Sequence, residues 1–366
     1  MKTIGIDARL YSQTGVGTYL QNFIHFLPAH VPENYQINLY VSPEDAPTIS
    51  LAHPRMTIKI THAKWHTLQE QSLFGVQLMQ DKLDLMHFTY FSFPIWYPRA
   101  FIATVHDLTP LLFKTGQAST RQPLLYEFKH RIFTWVLSTQ IHRAKRLIVP
   151  TQVVKDQILA QYPDISGNKI VSIYEGVDWR YHNVHQNETL RKQFHFPYLL
   201  YVGNYYPHKN VERLIKAFES VSGDIKLVLR GPDNYFSKRL KQLVHENNLT
   251  ERVIFYYPHT FEDMAFLYRN AQALVVPSLS EGFGLPIVES LYFGTPVITS
   301  DIPVFHELIG KKFHQFDPYN TNSMRIAIEK EISHPTTFLS EELLNGYSFE
   351  EMTKKTVKLY KNYLGE

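Results

Sequence analysis

Short apolar runs recur along the first half of the chain at Thr3 to Asp7, Gln36 to Val41, Met56 to Ile60, Leu83 to Phe88, Phe101 to Val105 and Arg146 to Pro150, and they read as strands. Between the first two, Val16, Tyr19, Leu20, Phe23, Ile24 and Leu27 repeat at helical spacing and predict one buried helix face. The second half repeats the scheme, with strands expected at Tyr198 to Val202, Ile225 to Leu229, Val253 to Tyr256, Ala273 to Pro277 and Pro296 to Thr299. Its clearest helix is Asn210 to Val221, where Val211, Leu214, Ile215, Phe218 and Val221 form a stripe while Glu212, Arg213, Lys216 and Glu219 lie elsewhere. Alternating strands and helices predict an α/β chain with parallel sheets covered on both faces, one sheet per half. Two such lobes face each other across a cleft. The polar stretch Asp178 to Phe196 lacks a strand pattern, so the expected division is 1–185 and 186–347. Phe349, Met352, Val357, Tyr360 and Leu364 predict a last helix within 348–366 that packs back on the first lobe.

At 366 residues and 44% hydrophobic, the chain can bury two cores. It has no cysteine, which removes disulfides, cysteine-held zinc and thiolate catalysis from its own chemistry. No signal-peptide pattern precedes the first strand, and no apolar stretch reaches membrane-spanning length, so a cytoplasmic setting is expected. A net charge of +3 gives no reason to expect a nucleic-acid partner. The charge is uneven, however. Residues 101–150 hold seven Lys/Arg (Lys114, Arg121, Lys129, Arg131, Arg143, Lys145, Arg146) against Asp107 and Glu127, an excess of five. The same stretch carries Leu124, Leu125, Phe128, Ile132, Phe133, Trp135 and Val136, enough for a helix face directed at a core or at a membrane interface. An anionic membrane at the inner face of the cytoplasmic membrane is therefore an expected peripheral contact.

Ligands of parallel sheets bind beyond the carboxyl ends of strands, where loops feed helix N-termini that attract anions. The loop after the first strand holds Gly15 and Gly17, which suit either a phosphate approach or a plain turn. The loop Gly203-Asn-Tyr-Tyr-Pro-His-Lys-Asn210 brings Lys209 to a helix start, a place that suits a cation sharing an anion with the helix end, or a solvated lysine. The richest segment runs from Val276 to Glu289. A strand ends there in a turn with Gly282 and Gly284, a helix begins near Pro286, and Glu281 and Glu289 flank the amides of Phe283, Gly284 and Leu285. Carboxylates so placed are good acceptors for sugar or ribose hydroxyls.

Glu281-Gly-Phe-Gly-Leu-Pro-Ile-Val-Glu289, two glutamates with seven residues between, resembles the signature of retaining GT-B glycosyltransferases of family 4. Ile4-Gly-Ile-Asp-Ala-Arg9 with Gly15-Val-Gly17, Thr104-Val-His-Asp-Leu-Thr-Pro110, Ile173-Tyr-Glu-Gly-Val-Asp178, Tyr201-Val-Gly-Asn204, Pro207-His-Lys-Asn210 and Asp301-Ile-Pro-Val-Phe305 follow in order. They resemble the branch of bacterial O-antigen mannosyltransferases, and the likeness covers almost the whole chain. It implies two Rossmann-like lobes, with Glu289 on the donor ribose, Glu281 on the sugar hydroxyls, Lys209 on the diphosphate, amides near Gly15 and Gly284 on phosphate and sugar, and His106 facing the reacting sugar. Many relatives have an arginine directly after Val-Gly, where this chain has Asn204, so its second phosphate cation is open between Asn204 and His208.

The implied activity is retaining, metal-independent hexosyl transfer from a nucleotide sugar, GDP-mannose being favoured, to a saccharide or lipid-linked acceptor in cell-surface polysaccharide (lipopolysaccharide) synthesis. No cofactor is implied beyond the donor, and no Asp-x-Asp motif offers a metal site beside the phosphates. Competing readings are a UDP-sugar transferase, a GT-B epimerase and a non-catalytic sugar-binding protein. A dehydrogenase fits poorly, because the first loop lacks the third glycine of Gly-x-Gly-x-x-Gly.

Overall fold

Apolar runs of four to seven residues, separated by amphipathic segments, are buried most fully as central parallel strands with helices over both faces. The computed structural model describes residues 1–51, 53–113, 123–184 and 188–365. Its first sheet contains β1 (Lys2–Asp7), β2 (Tyr35–Val41), β3 (Met56–Ile60), β4 (Leu85–Phe88), β5 (Phe101–Thr104), β6 (Arg146–Val149) and β7 (Ile170–Ser172), ordered β3-β2-β1-β4-β5-β6-β7. The second contains β8 (Tyr198–Val202), β9 (Lys226–Arg230), β10 (Val253–Tyr256), β11 (Ala273–Val276), β12 (Val297–Ser300) and β13 (Gln315–Phe316), ordered β10-β9-β8-β11-β12-β13. Every pairing is parallel. Ile4 and Ile6 of β1, and Leu274 and Val275 of β11, are fully buried, as strands covered on both faces require.

One compact unit runs from Met1 to Leu111, continues from the helix Pro123–Arg143 to Glu175 and takes in the chain from Ser348 onward. The other is Gly176–Tyr347 with Leu112 and Phe113. Each is a Rossmann-like α/β unit. In both, the chain steps outward from its first strand and then returns to that strand's other side, which opens a crevice at the carboxyl ends of β1 and β4 in one sheet and β8 and β11 in the other.

The helix Val211–Glu219 shows how patterning fixes a helix on a sheet. Val211, Leu214, Ile215 and Phe218 are buried, each worth about 1.5–3 kcal/mol against exposure, while Glu212 and Lys216 pair at 2.8 Å on the outer side. It begins one residue later than its periodicity suggests, because Asn210 takes a left-handed conformation (φ 61°) and caps it. Two edge strands, β7 and β13, fall outside the sequence expectation, since runs of three and two residues are too short to show a period.

The last helix, Phe349–Leu364, lies against the helix Val16–Phe26 of the first unit. Phe349, Met352, Val357 and Tyr360 are buried, and the Tyr360 hydroxyl sits 2.6 Å from Nδ1 of His87 in β4. His87 Nε2 lies 2.8 Å from the Thr104 hydroxyl, and burial, then the neighbouring His106, pushes its pKa down to about 3. The ring is therefore a neutral tie between sheet and helix. No described helix is long and apolar enough to cross a membrane.

Candidate functional site

In the second unit, the loops leaving β8 and β11 meet at the crevice where the strand order reverses. Pro207–Lys209 forms a single 3-10 turn, and Asn210 then anchors it, its Nδ2 donating to the Pro277 carbonyl at 3.0 Å and the Pro318 carbonyl at 2.8 Å. The Leu279 N–H donates to the His208 carbonyl at 2.8 Å, so the two loops share backbone as well as side chains. This brings together residues 72 positions apart: Lys209 Nζ donates to Glu281 Oε1 at 2.6 Å, and the Ser278 hydroxyl donates to the same oxygen at 2.7 Å. Burial alone would push the Glu281 carboxyl up, but the charge and hydrogen bond of Lys209, with Ser278, outweigh it and hold the group below its ordinary value. The result is an ionised carboxylate and an ammonium, both partly open to solvent, at the end of the sheet.

Glu289 behaves in the opposite way. It lies in the helix Leu285–Tyr292 and is buried, and its Oε2 accepts from the Tyr268 hydroxyl at 2.6 Å. Burial pushes its pKa up to about 7; the Tyr268 hydrogen bond pulls the other way, Asp178 adds to the rise, and Arg230 and Arg180 oppose it. Two glutamates of one motif thus have opposed electrostatics. One is held ionised, and the other is near half-protonation at neutral pH.

Gly284 (φ 110°) is the residue that caps this helix, and no side chain does so. A Cβ there would also stand 3.3 Å from the Phe305 ring, so both conformation and space call for glycine. Gly282 and Phe283 are buried beside it and Leu285 is half-buried, with Phe283 set edge-on to Tyr347 at 5.7 Å. The side-chain oxygen of Asn204 accepts from the Tyr206 N–H at 3.3 Å, closing a local turn. His208 is half-buried, its buried Nδ1 has no partner among the described residues, and desolvation, then Lys209, pushes its pKa down to about 4. It is neutral at pH 7.

The first unit gathers its candidates at the equivalent crevice. Gly15 (φ 74°) caps the helix Val16–Phe26, again without a side-chain cap, and a Cβ on Gly17 would lie 2.6 Å from the Tyr11 carbonyl. Each glycine therefore has a conformational or steric reason of its own. His106 follows β5, with Nε2 3.0 Å from the Thr89 carbonyl and Nδ1 3.3 Å from Glu175 Oε1. A carbonyl and a carboxylate are both acceptors, so each ring nitrogen faces an acceptor within the protein.

Comparison with known proteins follows the same division of the chain. Residues 14–180 match the model described as Glycosyltransferase Family 4, and residues 186–338 that described as Glycosyl transferases group 1. Both matches are to glycosyltransferase family models, and together they span most of the chain. The chain is 32% identical over 232 residues to the O-antigen chain mannosyltransferase RfbU of Salmonella typhimurium strain LT2, a match covering 62% of this chain and 64% of that protein. Among solved structures it resembles sucrose-phosphate synthase from Thermosynechococcus elongatus, with TM-score 0.79 and 19% identity, covering 100% of this chain and 99% of the other. It also resembles HepE of Anabaena, solved with UDP and glucose, with TM-score 0.77 and 15% identity over 99% and 100% of the two chains. At those identities the likeness establishes the GT-B fold.

Several residues around these two crevices escape sequence reading. Tyr268 and Ser278 fix the two glutamates, yet a tyrosine in an amphipathic helix and a serine in a turn carry no signal of their own. Glu175 lies inside the Ile173-Tyr-Glu-Gly-Val-Asp178 motif, and its partner His106 is 69 positions away. Only the parallel register of β5, β6 and β7 brings them to one end of the sheet.

Proposed function

We propose that this chain is a retaining, metal-independent hexosyltransferase that moves mannose from GDP-mannose to a saccharide or lipid-linked acceptor in cell-surface polysaccharide synthesis. The observation that carries the reading is the Lys209–Glu281 pair at the reversal point of the second sheet, with Glu289 on the adjoining helix. Breaking the anomeric bond puts positive character on the sugar and adds negative charge to the leaving diphosphate. Lys209, exchanging Glu281 for phosphate, stabilises that growing charge, and the released Glu281 carboxylate accepts from sugar hydroxyls. Glu289 takes the ribose hydroxyls once deprotonated. The departing phosphate accepts the acceptor's proton on the face it leaves, so no protein base is needed, consistent with His106 having both ring nitrogens engaged.

The mannosyltransferase activity in the name of the Salmonella relative supports the donor choice. A UDP-sugar is the second reading, favoured by the structural neighbour solved with UDP and glucose. Incubation with labelled GDP-mannose, UDP-glucose and UDP-galactose, followed by proton NMR of the product, tests both. Transfer from GDP-mannose with an α-anomeric signal is expected. A β-linked product would end the retaining assignment, and transfer only from a UDP-sugar the donor assignment.

The anionic-membrane contact is also proposed. Lys114, Arg121 and the side chains of Leu124 and Leu125 lie outside what the structure describes, but from Phe128 onward the helix Pro123–Arg143 carries both core-facing and outward side chains. Val136, Leu137 and Ile141 enter the core, while Phe128 (62% exposed) and Trp135 (53%) face outward with Ile132, beside exposed Lys129 and Arg131. Leu68 (86%) and Trp96 (80%) stand on neighbouring loops of the same unit, tied together through Gln71 and Arg143. Aromatic and aliphatic tips among cations suit the interface of an anionic bilayer.

A further inference from the structure

Most buried or half-buried arginines of this chain have evident partners. Arg9 pairs with Asp7 and Glu70, Arg180 with Asp178, Arg213 with Asn210 and the Pro318 carbonyl, and Arg252 with the Val221 carbonyl. Arg55, beside β3 of the first unit, and Arg230, at the end of β9 of the second, are different, and only Arg230 stands at the crevice that holds Lys209 and Glu281. It is half-buried, and among the described residues its guanidinium makes no hydrogen bond and no ion pair. A guanidinium has five N–H donors in a planar fork suited to phosphate, and leaving it unused at a partly dry position is unfavourable unless a ligand completes it.

Its place in the sheet indicates which ligand. Arg230 is the last residue of β9, in register with Val202, and its carbonyl accepts from the Gly203 N–H at 3.0 Å. A Cβ on Gly231 would lie 2.4 Å from the Gly203 carbonyl, so the β8 loop rests directly on the end of β9. Leu227 and Leu229 belong to the core that contains Leu214 and Phe218, which turns Val228 and Arg230 to the opposite face of the sheet. The buried acid Glu289 and Tyr181, Tyr201, Tyr205 and Tyr268 all sit within the field of that guanidinium. The charges near it already balance in pairs, Lys209 with Glu281 and Arg180 with Asp178. Among the described residues Arg230 is left with no carboxylate in ion-pair contact, the buried Glu289 being engaged by the Tyr268 hydroxyl.

We propose that Arg230 is the second cation for the donor diphosphate, reaching from β9 into the space beside the β8 loop, where Asn204 carries no charge. The assignment rests on reading this crevice as the nucleotide-sugar site. It gives the anion a bidentate fork from one strand and the ammonium of Lys209 from the next loop. The neutral His208 is not required for charge.

Calorimetric titration tests this without turnover. Whichever of GDP, UDP and ADP binds the wild-type protein best is compared with its nucleoside, in wild type, Arg230→Gln, Arg230→Lys and the double variant Arg230→Gln/Asn204→Arg. Arg230→Gln should weaken the diphosphate by about tenfold to a hundredfold and leave the nucleoside within about twofold, as expected for loss of a charged hydrogen-bonded contact. Arg230→Lys should fall between, and Asn204→Arg should recover affinity in the Arg230→Gln background, which a merely structural role for Arg230 would not allow. Equal loss for nucleoside and diphosphate, or diphosphate binding unchanged in Arg230→Gln, would overturn the proposal alone. A wild-type protein that binds none of the three diphosphates would overturn the site reading together with it.

Discussion

The crevices of the two sheets are built on the same topology and hold charge differently. At the end of β1, Arg9 is buried with its guanidinium donating to Asp7 at 2.8 and 2.7 Å, to Glu70 at 2.6 Å and to the Ala63 carbonyl, while the Ser92 hydroxyl donates to Glu70. Burial pushes the Glu70 carboxyl above its ordinary value even with Arg9 against it. The Phe74 ring covers the guanidinium at 4.0 Å. That network is closed, since each charge has its partner within the protein. At the ends of β8, β9 and β11 one pair, Lys209 and Glu281, is partly open to solvent, and among the described residues Arg230 forms no ion pair. A strand-order reversal supplies a crevice in either sheet, and donors left unused by the protein distinguish a ligand site from an internal brace.

Substitutions should separate the two. Arg9→Met strands two buried carboxylates, so it should cost about 3–5 kcal/mol in chemical denaturation while leaving the nucleotide affinity of the remaining folded protein unchanged. Lys209→Ala should do the reverse: unfolding near wild type, with kcat reduced about a hundredfold to a thousandfold, because phosphate charge grows in the transition state. A Lys209→Ala protein with near wild-type turnover would place the diphosphate elsewhere.

A smaller effect comes from Glu289. Its carboxyl, raised to about 7 by burial, binds a proton through the range where the unfolded chain has lost it. Its contribution to stability is therefore present at low pH and lost as pH rises through about 7. Donor affinity runs the other way. If the carboxylate accepts ribose hydroxyls, the dissociation constant should rise toward about tenfold per pH unit below 7 and level off above it. Glu289→Gln should flatten that slope; an unchanged slope would assign the titration to another group. Smallest of all, Lys129→Gln/Arg131→Gln should weaken co-sedimentation with phosphatidylglycerol vesicles by roughly thirtyfold at low salt, at about 1 kcal/mol per cation. Equal binding by variant and wild type would leave that face solvated.

Much of this was legible in the chain, for identifiable reasons. Strands buried on both faces appear as apolar runs, and the loops with Gly15, Lys209 and the Glu281–Glu289 motif stand out because glycine, lysine and paired glutamates are unusual beside such runs. Partnerships were not legible. Arg230 is an ordinary strand-end residue in sequence, and only the register Val202 to Arg230 sets it beside the β8 loop. The contrasting states of Glu281 and Glu289 come from Lys209, Ser278 and Tyr268, which lie on other elements. Sequence places a group at the end of a strand, and packing decides whether it keeps its charge.

The central claim is that the open charges of the second unit hold a nucleoside diphosphate. A thermal-shift series with GDP, UDP and ADP at pH 8, on wild type and Glu289→Ala, tests it most directly. One of the three should raise the wild-type midpoint in a concentration-dependent way, approaching about 2.7 kcal/mol of added stability at a hundred times its dissociation constant, and Glu289→Ala should lose most of that gain. No shift with any of the three, or an equal shift in Glu289→Ala, would contradict the account.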